Sequence, residues 1–160
     1  MILKFFGGGF LVLAGSLLGH CRLSALRAQV RSLRELSTAL GFMQNELTLL
    51  QTPLPQIFEK QRSCLFFRLL TAGFGTEATE TLWRRAAMSL DLPAEAAVAL
   101  SGLGCVIGRY DAARQAAEIE IVRSQLSDSA DRLSEEIAAR GKSFTGLGAA
   151  AGAMLAVILF

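Results

Sequence analysis

The chain has 160 residues, enough for about one domain, with a formal net charge of +2 and 52% apolar residues. Near-neutrality excludes a broad basic surface for nucleic acid. One histidine and three scattered cysteines exclude a spaced set of metal ligands.

Charge is unevenly placed. All 14 acidic residues and 15 of the 16 basic ones lie between His20 and Lys142. At the N-terminus, "FFGGGFLVLAGSLLGHC" (residues 5–21) has no charge and is flanked by Lys4 and Arg22. Its length predicts a transmembrane helix over residues 1–21. A signal peptide cleaved near "LAGS" is the rival, but the helical pattern continues past that point. Gly15 and Gly19 form a small-xxx-small pair suited to close helix packing in a bilayer.

Beyond Arg22, apolar residues recur at Leu23, Leu26, Val30, Leu33, Leu36, Leu40, Met43, Leu47 and Leu50. Steps of three and four predict one stripe along a long helix, broken at "QTPLPQ" by Pro53 and Pro55. Four shorter pieces follow. "PLPQIFEKQRS" has Pro at a helix start, and "CLFFRLL" ends at the glycine turn "TAGFG". "TEATETLWRRAAMSL" has Thr76 or Thr79 as a cap and Trp83 toward the core, and "LPAEAAVALSGL" has Pro93 near its start. Asp111 is the predicted N-cap of a last long helix with a stripe of Ala112, Ala116, Ile119, Val122, Leu126, Ala130, Leu133 and Ile137. Asp128, Asp131 and Glu135 read as its solvated face. The chain ends with 18 uncharged residues, 143–160, long enough at about 1.5 Å per residue to cross a bilayer, with Gly148 and Gly152 as a second small-xxx-small pair.

No alternating run of β-branched residues predicts a strand. The expectation is an all-α antiparallel helical bundle with a transmembrane helix at each end: residues 1–21 and 143–160 in the membrane, 22–142 a helical domain between them. The bases that follow the first span and precede the second put that domain on the cytoplasmic side. Cys21, Cys64 and Cys105 then read as reduced, partly buried residues.

Catalytic patterns are wanting. "RGKS" (residues 140–143) lacks the first glycine of a phosphate loop, because Glu136 holds that position. His20 and Cys21 are neighbours on a helix and cannot face each other as nucleophile and base. These readings point to a protein without cofactor, metal or small-molecule substrate, acting through the lipid bilayer and through protein partners. A subunit of a membrane-bound assembly is one reading; a membrane-anchored helical regulator or sensor of a soluble partner is the alternative. A third reading, a secreted helical protein, requires signal cleavage.

Several strings, in order, resemble the stage III sporulation protein AB family of endospore-forming bacteria. They are the N-terminal span, Glu46 followed by "TPLP" (residues 52–55), Trp83 within a helix, "IGRYDAARQ" (residues 107–115) and "GKSFTGLGAAAGAMLAVILF" at the end. Leu49 stands where that pattern has an aromatic. The resemblance implies a cytoplasmic domain similar to the helical domain of type II secretion and pilus platform proteins. It further implies a place in a complex linking mother cell and forespore, with other membrane subunits and a secretion-type ATPase as partners. The matching motif residues are Glu46, Thr52, Pro53, Asp111 and Gln115. The chemistry of Thr52, Pro53 and Asp111 reads first as structural, a helix break and a cap; Glu46 is the exception, a charge within the last turns of a helix.

Overall fold

A computed structural model describes the backbone of residues 2–159 and the side chains of residues 23–139. Every regular element is helical: α1 (Ile2–Asn45), α2 (Leu54–Lys60), α3 (Leu65–Gly73), α4 (Thr79–Met88), α5 (Ala94–Gly102) and α6 (Ala112–Leu159). A π-turn, Glu46–Leu50, closes α1, and a 3-10 turn, Leu103–Cys105, follows α5. Among the described residues the sole strand-like pairing is an isolated bridge between Phe74 and Glu77.

The expectation of a transmembrane helix at each end is corrected. Among the described residues no helix is long and apolar enough to cross a membrane. The described part of α1 carries Arg27, Arg31, Arg34 and Glu35, and that of α6 carries a charge in nearly every turn. The uncharged stretches 5–21 and 143–160 lie outside the described side chains. So do Gly15, Gly19, Gly148 and Gly152, His20 with Cys21, and the "RGKS" stretch at 140–143.

The chain divides into two compact units. One joins residues 1–28 with 132–160, and the other is residues 29–131. Within the second, α1 and α6 run antiparallel. Ser37 Oγ donates to the Arg123 carbonyl at 3.5 Å, Gln44 Nε2 donates to the Ala116 carbonyl at 3.3 Å, and Arg34 pairs with Asp131 at 3.6 Å. As numbers rise on α1 they fall on α6. The predicted stripes supply the contact: Val30, Leu33, Leu36, Leu40, Met43 and Leu47 are buried on α1, and Ala116, Ile119, Val122, Leu126 and Ala130 on α6. Non-polar burial at about 25 cal/mol per Å² is the main favourable term here.

The short helices α2 to α5 form a second layer around Trp83. Its ring lies 5.1 Å from Phe66 and 6.0 Å from Phe58, both edge-on, and Phe58 also meets Phe67 and Phe74. Trp83 Nε1 donates to the Leu100 carbonyl at 2.7 Å, so its one polar atom is satisfied inside the core. The predicted cap of α4, Thr76 or Thr79, is corrected. The residue before α4 is Ala78, with no side-chain cap bond, and Thr79 begins the helix proper. Thr76 turns back instead, its hydroxyl donating to the Gly73 carbonyl at 2.7 Å, where Gly75 takes a positive φ of 86°. Of the two described cysteines, Cys64 is buried as expected but Cys105 is exposed.

Candidate functional site

The resemblance residues fall in two clusters sixty positions apart in sequence, and the fold brings them to one end of the α1–α6 pair. The first is the close of α1. There the helix widens into the π-turn Glu46–Leu50, and Gln51 follows in the left-handed region at φ 49°. The Gln51 and Thr52 N–H groups both donate to the Glu46 carbonyl, the latter at 3.1 Å. Glu46 is only 5% exposed. Its carboxylate accepts from Lys60 Nζ at 2.9 and 2.8 Å, one bond to each oxygen, and from the Thr52 hydroxyl at 2.5 Å. Pro53 stands just before α2, its carbonyl accepting from Gln56 and Ile57, and Lys60 sits in the last turn of that helix, where a cation is favoured. The Lys60 and Thr52 bonds hold the Glu46 carboxyl below the usual glutamate range, against the opposite pull of burial.

The second cluster precedes α6. Asp111 Oδ1 accepts from the Arg114 N–H at 2.8 Å, an N-cap bond in the expected place. Gln115 is buried. Its amide nitrogen donates to the Tyr110 carbonyl at 2.5 Å, and its oxygen accepts from the Gly108 N–H at 3.2 Å. The side chain thus clamps a turn that Gly108 enters at φ 79°. Arg114 lies 4.1 Å from the centre of the Tyr110 ring, a cation–π contact on the outside of the turn.

A hydrogen bond next to the clusters ties them, Gln44 Nε2 donating to the Ala116 carbonyl, and Leu54 Cδ1 stands close to Gly108, 3.4 Å from where a Cβ there would be. The result is a tip with a fixed backbone and exposed apolar side chains. Leu49 is 77% exposed and Leu50 65%, and Tyr110, before α6, is also exposed.

Leu50 corrects the sequence reading, which places it on the buried stripe. A π-turn inserts an extra residue per turn, so a side chain that an α-helix would direct inward is rotated outward. Lys60, Gln51 and the exposure of Leu49 were also missed. The 14-residue spacing from Glu46 to Lys60 crosses the proline break and has no local signature. A glutamine in the left-handed region carries none either.

Little else in the described surface suggests chemistry. No group of three His, Cys, Asp or Glu side chains among the described residues could hold a metal ion. A cleft of about 370 Å³ beside α2 is lined by Pro55, Gln56, Phe58, Glu59, Thr71 and Phe74, and its carboxylate is engaged by Arg62 at 2.9 Å.

Two antiparallel long helices, a layer of short ones and a tip with fixed, exposed leucines define the class: an all-α helical-bundle protein. More particularly, the chain belongs to the stage III sporulation protein AB family, whose model matches residues 4–160. No curated protein and no solved structure matches it.

Proposed function

We propose that the protein is a non-enzymatic assembly subunit of a multi-protein sporulation complex, and that its tip docks a secretion-type ATPase. On this reading it works at the mother-cell membrane, with the bundle toward the cytoplasm, in a complex that links mother cell and forespore. One observation carries the proposal: two adjacent exposed leucines stand on a turn closed by the buried carboxylate of Glu46, which a half-exposed Lys60 pairs from α2.

Scattered exposed apolar residues are ordinary on a protein surface. A pair of them beside a π-turn and a left-handed glutamine is different, because π-turns and backbone outliers gather at functional sites. A rigid apolar knob suits a protein partner, since little conformational entropy is lost when it inserts. Burying each leucine in a partner stabilises the complex by about 1.5–3 kcal/mol.

The test replaces Leu49 and Leu50 with Asp and measures recovery of the ATPase with the tagged protein from sporulating cells. Wild-type protein is expected to bring the ATPase down and the double variant to lose it, with spore yield falling in parallel. Equal recovery with both proteins would remove the tip from the docking surface.

A further inference from the structure

We propose that Glu46 is a positioning residue for docking: its pairing with Lys60 and Thr52 holds the π-turn in the shape that presents Leu49 and Leu50. Partner affinity is then set by a side chain too covered for the partner to touch. This inference rests on the docking reading above.

Glu46 binds both sides of the arc that carries the leucines. Its carbonyl takes the N–H groups of Gln51 and Thr52 on the far side of the arc. Its carboxylate takes the Thr52 hydroxyl and, from α2, both bonds of Lys60. The turn therefore closes on one residue through main chain and side chain together.

That closure opposes two local preferences. Gln51 sits at φ 49°, a region unfavourable for a residue with a Cβ, and persists there only where surroundings over-determine it. The sequence also offers a competing arrangement. Leu40, Met43, Leu47 and Leu50 keep α-helical spacing, so continuing α1 as a regular helix would turn Leu50 back toward the stripe. The two shapes differ in whether Leu50 faces out or in. Glu46 with its partners selects the outward one.

The test uses the full-length chain and the purified secretion-type ATPase of the same complex, titrated to equilibrium where every variant is folded by circular dichroism. Glu46→Gln and Lys60→Met are expected to weaken binding about tenfold or more, while Lys60→Arg, whose guanidinium fork matches both carboxylate oxygens, binds within about twofold of wild type. Hydrogen exchange at the Gln51 and Thr52 amides is expected to quicken in Glu46→Gln and Lys60→Met. It should stay unchanged in the Leu49→Ala, Leu50→Ala double variant, which loses binding by losing the knob itself.

If the leucine variant loses binding while Glu46→Gln and Lys60→Met bind as wild type, the positioning role is overturned and docking at the tip stands. If Lys60→Arg binds as poorly as Lys60→Met, the ion pair is not what matters and the role is likewise overturned. If the leucine variant binds as wild type, the docking reading fails and takes this inference with it.

Discussion

At Glu46 a charge is covered by the fold, which is unfavourable unless partners replace the lost water. Lys60 first and Thr52 second do so, and together they outweigh burial and lower the carboxyl pKa. A carboxyl whose folded value lies below its unfolded value adds stability above the unfolded value and loses it as pH falls through the folded one. Wild-type stability should therefore fall more steeply than that of Glu46→Gln as pH drops below the ordinary glutamate range. Urea midpoints for the two proteins across that range check this; parallel curves would mean that Glu46 is not selectively ionised in the fold. At this scale the sequence was half legible. A glutamate within the last turns of a stripe is visible by eye, but its counter-ion is supplied by tertiary packing across a proline break.

Between elements, two glycines separate local cost from packing cost. Gly41 lies inside α1, where a Cβ would meet the Arg123 guanidinium at 2.9 Å, the end of a flexible side chain that can move aside. Replacing it with Ala removes a helix-unfavourable residue and should stabilise the protein by about 0.5–1 kcal/mol. Gly104 lies in the 3-10 turn after α5, where a Cβ would stand 2.7 Å from Trp83 Cβ and 3.3 Å from the Glu80 backbone. Backbone cannot swing away, so Gly104→Ala should cost about 1–3 kcal/mol. Chemical denaturation of the two variants is expected to give opposite signs. The existence of the helices was legible because their signals are local: stripes of three and four, prolines at starts, Asp111 as a cap. What failed was phase and capping. Leu50 left the stripe because a π-turn has no composition cue, and Thr76 bonded backward to Gly73 because α3's end competed for its hydroxyl.

Across the unit of residues 29–131, the order of the chain hides how the core is shared. Every stripe residue named for α1 over 30–47 and for α6 over 116–130 is buried, since each helix reports its own apolar face, while Ala39, Glu46 and Ser129, buried beside them, lay outside the pattern. The layer of short helices depends instead on one side chain, because Trp83 meets aromatic rings from α2 and α3 and bonds a carbonyl on α5. Its two contributions can be separated. Trp83→Phe keeps most of the packing but leaves the Leu100 carbonyl without its buried donor, at a cost of about 1–3 kcal/mol. Trp83→Ala also opens a cavity among the rings, at a cost of about 3–5 kcal/mol. Far-UV circular dichroism should follow both, because the chain has a single tryptophan and its fluorescence goes with it. The expected order is wild type, then Phe, then Ala. Equal stability of the Phe variant and wild type would show that the Leu100 carbonyl finds another donor and that ring packing alone fixes α5 against α4. Total stability of a domain this size is about 5–15 kcal/mol, so the Ala variant should approach the unfolding threshold while the Phe variant stays folded.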